Sequence, residues 1–205
     1  MREILSPVVS PLVLATRNEH KRREFARLLP GLQILPLPDS VELAPEDGLT
    51  FAENALVKAK VAAAATGTPS IADDSGIEAA ALGGRPGVRS ARYAGEQATD
   101  EQNLALLLRE APAGSALEYV CALAYVDPAA GAERLFEGRC AGTLAARPRG
   151  ERGFGYDPAF LPADLPGEET MAELADAEKD QISHRGRAAR ALLGWLCAGA
   201  DGSAD

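Results

Sequence analysis

Two adjacent carboxylates at the end of an apolar stretch are the first residues with evident chemistry. Ser70-Ile71-Ala72 runs into Asp73-Asp74-Ser75-Gly76. Hard carboxylate oxygens suit Mg²⁺, which keeps several waters and takes one or two carboxylates together with substrate phosphates. Neighbouring side chains on a strand point to opposite faces. A shared cation therefore requires the short strand to end here and the chain to turn, so that both acids reach it. The same residues also suit a plain Asx turn or a helix cap. A second segment, Thr16-Arg17-Asn18-Glu19-His20-Lys21, lies between an apolar run and a helical pattern. Such a strand-to-helix turn points helix N–H groups at whatever sits above the strand end, a favourable place for phosphate. Thr16, Asn18 and Lys21 add hydroxyl, amide and ammonium contacts. With so few glycines it is no Walker loop, and a cap followed by a solvated basic turn is the plainer alternative.

Gly153-Phe154-Gly155-Tyr156-Asp157-Pro158 sets glycines beside aromatics. That pattern lets the backbone approach a flat ligand, with Phe154 stacking on a base and Asp157 accepting from ring N–H groups. A Gly/Pro turn with aromatics plugging the core fits it equally. Lys179 and Ser183-His184-Arg185 bring positive charge to an acidic chain. Ser183 can cap the last helix, and Arg185 can face a carbonyl or a phosphate. The chain has only two histidines, which argues against a multi-histidine metal site. Glu46 and Lys58, either side of Thr50, read by themselves as surface charges.

The elements that must position these residues follow from periodicity and caps. Leu12 to Ala15 reads as a buried strand. The next helix has Phe25, Leu28 and Leu29 on its apolar face and stops at Pro30-Gly31. Gln33 to Leu37 suits a second strand. Thr50 with Glu53 forms a capping box that opens an Ala-rich helix closed by Gly67, and Thr99 with Gln102 opens another. Tyr119 to Val126 and Arg134 to Leu144 read as antiparallel partners around Asp127-Pro128, with Gly138 and Gly142 allowing a bend or bulge. The last helix spans about His184 to Cys197. Strands and helices in this order predict a layered α/β fold with a mixed sheet.

Composition bounds the partners. The chain has 205 residues, a formal net charge of −9 and 46% hydrophobic residues. An acidic balance disfavours a nucleic-acid partner but not a small anion, which needs only a few local cations, a metal or backbone N–H groups. No apolar run approaches a membrane span of about 20 residues. Met1 to Pro11 lacks the apolar core of a signal peptide. The three cysteines, Cys121, Cys140 and Cys197, form no CxxC pair and read as reduced thiols of a cytoplasmic protein.

Together these segments resemble the Ham1/RdgB-type inosine/xanthosine triphosphate pyrophosphatases. The matching stretches are Leu14 to Asn18 with Lys21, Gly48 to Phe51 with Glu53 to Ala55 and Lys58-Ala59, and Ala72 to Gly76. Gly84, Pro86 to Val88 and Ser90 to Gly95 follow, then Gly153 to Pro158 with Phe160, and Ala172 to Leu174 with Glu178-Lys179 and Ser183 to Arg185. They occur in the family's order from about Leu12 to Leu193. The resemblance implies an elongated mixed central sheet flanked by helices, with two lobes, an active-site cleft between them, and a homodimer. It implies one nucleoside-triphosphate pyrophosphatase domain over residues 1–198 and a flexible tail at 199–205. It also implies roles. Thr16, Arg17, Asn18, Glu19, His20 and Lys21 hold the triphosphate, and Lys58 faces phosphate. Asp74 is proton acceptor and Mg²⁺ ligand, with Asp73 and Glu46 assisting at the metal. Ser75 contacts substrate. Phe154, Gly155, Tyr156, Asp157, Lys179, His184 and Arg185 form the base and nucleotide pocket.

Two departures from the family pattern stand out. Arg17 occupies a place usually held by Gly: it either carries strain of about 1 kcal/mol, if that position needs positive φ, or adds a phosphate contact. Ala80 stands where an acidic residue is usual. The implied reaction is attack of water between the α- and β-phosphorus atoms, releasing pyrophosphate, with positioning and charge stabilisation dominating. Base choice follows from polarity: hypoxanthine and xanthine present a 6-oxo acceptor and adenine a 6-amino donor, so mismatched ATP leaves buried donors unpaired. The rival readings are a Maf-type nucleotide pyrophosphatase of other base specificity and a non-catalytic nucleotide sensor.

Overall fold

A computed structural model of the protein describes residues 11–165 and 167–201. The stretch read above as lacking a signal peptide lies, up to Ser10, outside the described residues. Of the expected tail, residues 202–205 lie outside them too, while the backbone of 199–201 completes the last helix. In chain order the elements are β1 (Leu12–Leu14), α1 (Glu19–Leu28), β2 (Ile34–Pro36), α2 (Phe51–Thr66), β3 (Ser70–Ala79), α3 (Asp100–Glu110), β4 (Ala116–Asp127), β5 (Ala132–Leu144), β6 (Phe160–Pro162), α4 (Asp176–Ile182) and α5 (His184–Asp201). The strands form one six-stranded sheet in the order β2-β1-β3-β4-β5-β6. β1 pairs parallel with β2 and β3, and the remaining pairs are antiparallel. This is the mixed α/β sheet expected from the sequence.

Alternation along the strands sorts the core into two layers. Val13, Ala72, Val120, Ala122 and Ala124 face α2, whose Ala55, Ala59, Ala62 and Ala63 let the helix lie close to the sheet. Leu12, Leu14, Ile71, Cys121 and Leu123 face the other way, under Phe25, Leu28 and Leu29 from the first helical segment and Ala188, Ala189 and Leu192 of α5. At the far end, Leu104 and Leu107 of α3 pack with Ile77, Tyr119, Leu144, Phe160, Met171 and Leu174. The two ends form the two lobes. β1 pairs with β3 only at Val13↔Ser70 and Leu14↔Ile71, so among the described residues no strand pairs with that side of β3 from Ala72 to Ile77, before the isolated bridge of Glu78 to Pro86. The cleft lies along that free edge.

Local rules set most element boundaries. Thr50 Oγ1 accepts from the Glu53 N–H while Glu53 accepts from the Thr50 N–H, closing the expected capping box, and α2 ends at Gly67 with φ 64°. Thr99 and Gln102 do the same for α3. Ser183 Oγ accepts from the Gly186 N–H at 3.1 Å, as expected for the cap of α5. Three expectations need correction. The strand at Ser70 does not stop before Asp73: it continues for ten residues, paired with β4 throughout, because its even-numbered face is covered by α2 and its odd-numbered face by the α1/α5 layer. Gly138 makes no bulge, since β5 stays in register with β4; a Cβ there would run into the backbone of His184 and Ala188, so glycine admits the start of α5. Finally, α4 and β6, short and without strong periodicity, were not foreseen, and α5 runs past Cys197 to Asp201.

Candidate active site

A cleft with about 300 Å³ of interior space is lined by Ala15 to Asn18, Lys21, Glu46, Lys58 and Asp74, and also by Asp100, Tyr119, Phe154 to Asp157, His184 and Arg185. Asp74, on the α2 face of β3, is nearly buried. Its Oδ2 accepts from Asn54 Nδ2 at 2.9 Å, and its Oδ1 lies 3.8 Å from Lys58 Nζ. Burial pushes the Asp74 pKa above the ordinary carboxylate value; Lys58 opposes this and Glu46 supports it. Lys58 also donates to the Asp73 carbonyl at 2.7 Å and to Glu46 Oε1. Arg92 donates to the Glu46 carbonyl at 2.8 Å, so the β2–α2 connection is held from two sides.

Asp73 goes elsewhere. Because β3 does not turn, its carboxylate points into the α1/α5 layer with none of its surface exposed. There Oδ2 meets Lys21 Nζ at 3.0 Å, Arg185 Nε at 3.2 Å and Ser75 Oγ at 3.0 Å. Burial alone would raise its pKa, but Lys21 and Arg185 outweigh that and hold it well below the usual carboxylate range. Among the described residues no three His, Cys, Asp or Glu side chains converge as a metal-holding group. The expected gathering of Glu46, Asp73 and Asp74 is therefore corrected: Glu46 and Asp74 face the cleft, and Asp73 serves a buried ion network. Glu24 completes that network, bridging Arg185 at 3.0 Å and Lys179 at 2.7 Å, and Lys179 reaches on to Asp157 at 2.7 Å. Buried charges persist only when paired and hydrogen-bonded in this way.

Tyr119 stacks on His184 with centroids 4.5 Å apart and donates its hydroxyl to Asp157 Oδ1 at 3.0 Å. Asp157 Oδ2 accepts from the Phe154 N–H at 3.0 Å as well as from Lys179, so this carboxylate braces the loop from inside. Gly153, at φ 72°, is required there, since a Cβ would run into Asp157 Oδ2. Burial, then Arg185 and Lys179, hold the His184 pKa well below its ordinary value, and its Nδ1 is buried without a hydrogen-bond partner.

Several assignments in the turn after β1 change. Asn18 is the N-cap of α1, and its Oδ1 takes the His20 and Lys21 N–H groups, so those donors are already satisfied. Glu19 pairs with Arg22 on the surface, away from the cleft. His20 and Lys179 are not cleft-lining residues either. Arg17 carries none of the strain considered for it, since its φ is not positive. Its guanidinium clasps the next loop through the carbonyls of Leu37 at 2.8 Å, Pro38 at 2.7 Å and Val41 at 3.0 Å. Ser75 Oγ accepts from Arg185 at 2.6 Å. Sequence reasoning missed Glu24, Asn54, Asp100 and Tyr119. Glu24 had a usable signal, lying one helical turn after Lys21, and Asn54 lay within the matched capping segment. Tyr119 and Asp100 carried none.

Fold and cleft define a class: an α/β protein in which one groove is lined by a protected carboxylate of a strand and by aromatic side chains. The sequence model of the Ham1 family matches residues 12–195, and the chain belongs to that family. It is 48% identical over 196 residues to a dITP/XTP pyrophosphatase of Mycolicibacterium paratuberculosis, covering 90% of this chain and 95% of the relative. It is 50% identical over 188 residues to a dITP/XTP pyrophosphatase of Geobacillus kaustophilus, covering 86% and 89%. Among solved structures, a HAM1 protein from Coxiella burnetii superposes with a TM-score of 0.81 at 39% identity, over 93% of this chain and all of that one. A nucleoside-triphosphatase / dITP/XTP pyrophosphatase from Mycobacterium abscessus gives 0.70 at 43% identity, over 89% and 98%. The match sets the Maf-type alternative aside.

Proposed function

We propose that the protein hydrolyses deaminated purine nucleoside triphosphates, ITP, dITP and XTP, to the monophosphate and pyrophosphate. One observation carries this reading: the cleft lined by Asp74, Glu46 and Lys58 is also lined by Phe154, Tyr156, His184 and Arg185. A triphosphate tail and its base have opposite needs, and one cleft holds both kinds of group.

Glu46 and Asp74 suit a divalent cation, since two carboxylates beside a single ammonium leave negative charge facing an anionic substrate. Mg²⁺ held there by Glu46 and Asp74 would supply charge neutralisation on the polyphosphate. Asp73, whose Oδ2 is taken by Lys21 and Arg185, stays outside the proposed ligand set. In the proposed step, water attacks the α-phosphorus, Asp74 accepts its proton, and the bond to the bridging oxygen breaks with pyrophosphate leaving. Asn54 fixes one Asp74 oxygen, so Oδ1 is the acceptor. Lys58, Lys21 and the Thr16 hydroxyl steady the leaving phosphates.

Base selection rests on polarity. Arg185 commits three of its five N–H donors to Asp73, Glu24 and Ser75. The remaining ones meet a 6-oxopurine, whereas the 6-amino group of adenine leaves donors facing a donor. The test compares ITP, XTP, GTP and ATP hydrolysis with and without Mg²⁺, following pyrophosphate release. Preference for ATP would discard the pocket assignment, full activity without divalent metal would discard the metal, and binding without release would identify a sensor. A single catalytic domain and a homodimer belong to the same proposal, the latter tested by sedimentation.

A further inference from the structure

Phe154 is mounted on a backbone that does not hold its ring. It stands between Gly153 at φ 72° and Gly155 at φ 63°. The Phe154 N–H is bound to Asp157 Oδ2 at 3.0 Å and the Gly155 N–H to Asp100 Oδ2 at 2.8 Å. Those bonds fix the main chain and do not touch the ring. The ring itself is met by His20, stacked at 4.9 Å between centroids and 24° between planes. The Lys179 ammonium and Arg185 guanidinium lie 5.3 and 5.1 Å from its centroid. Phe154 lines the cleft and His20 does not, so the imidazole backs the ring from outside. His20 can hold that position because its own backbone is anchored: its N–H is taken by the Asn18 cap at 2.9 Å, one helical turn before the buried Glu24.

We propose that His20 is a positioning residue for base recognition, which sets the plane of Phe154 so that a purine finds the cleft-facing side of the ring already oriented. The order is base, Phe154, His20. A ring fixed before binding loses no rotamer freedom when the base arrives, and that saving appears as affinity. The inference rests on the proposed role of Phe154 as the platform for the base.

The test is a double-mutant cycle on the full chain, measuring kcat and KM for ITP and XTP with Mg²⁺. An aromatic stack is worth about 0.5–1.5 kcal/mol, so His20→Ala should raise KM about 3- to 10-fold. Its kcat should stay within about twofold, because the imidazole lies against Phe154 and does not line the cleft. His20→Phe should restore the wild-type KM. In a Phe154→Ala background, His20→Ala should add nothing, since the residue acts only through that ring. An unchanged KM in His20→Ala, an equal rise with and without Phe154, or no rescue by His20→Phe would overturn the inference while leaving the platform reading intact. A wild-type KM in Phe154→Ala would overturn both.

Discussion

Asp73 and Asp74 are chemically identical neighbours that the two faces of β3 turn into opposite things. On the α1/α5 face, Asp73 is sealed among Lys21, Arg185 and Ser75, and its negative charge is locked in. On the α2 face, Asp74 meets an amide donor at 2.9 Å and an ammonium no closer than 3.8 Å, and its pKa moves up. The same burial term acts on both. What differs is the number of cations within reach, set by which helix layer covers each face. A carboxylate with two cations on one oxygen supports the floor of the cleft. One with partial compensation keeps the capacity to take a proton.

Asn substitutions break this contrast most sharply. Asp74→Asn should lower turnover by about 10²–10⁴-fold, the usual share of a positioned acid–base group. The fold and Tm should change little. Wild-type turnover in steady-state assays would remove Asp74 from the chemistry. Asp73→Asn should show the reverse emphasis: with Lys21 and Arg185 left partly uncompensated in the interior, stability should fall by about 3 kcal/mol. Urea unfolding measures this, and a midpoint equal to wild type would show that the buried network does not depend on its central acid.

A smaller effect comes from pH. The folded pKa of His184 lies well below that of the unfolded chain, so on acidification the unfolded state takes a proton that the folded state refuses. Stability is then lost as pH falls below about 6.5, the ordinary value for histidine. Burial opposes ionisation of Glu24, but Arg185 and Lys179 hold its pKa below the ordinary value, so its contribution is present above the unfolded carboxylate pKa and is lost at still lower pH. Both signs agree. Tm should drop by a few degrees between pH 7 and pH 5, at about 2–4 °C per kcal/mol for a chain of this size. The drop should shrink in His184→Asn, and a flat profile would contradict the buried, neutral imidazole.

Legibility in the sequence followed the range of the interaction. The capping boxes at Thr50 and Thr99, the Gly67 stop and the β4–β5 hairpin are set by residues a few positions apart, and all were read correctly. Arg17 was noticed but its clasp on the next loop was not foreseen, because those partners lie 20 or more residues away in a loop with no motif. Glu24 was overlooked, since its value lies in Arg185, 161 residues on, and Lys179, 155 residues on. The acids at 73 and 74 were found as a pair and then given one task, because nothing local says that a strand will continue through two charged residues.

By itself the sequence determined the element types, the mixed order of strands and helices, and the family, all of which rest on periodicity, caps and ordered short motifs. Only the tertiary structure decided that the Asp pair is divided between a buried network and an open cleft. Alternation along a strand is a local rule, but which side is closed depends on helices from both ends of the chain packing against that strand. The energy of a charge depends on what that packing brings within a few ångströms.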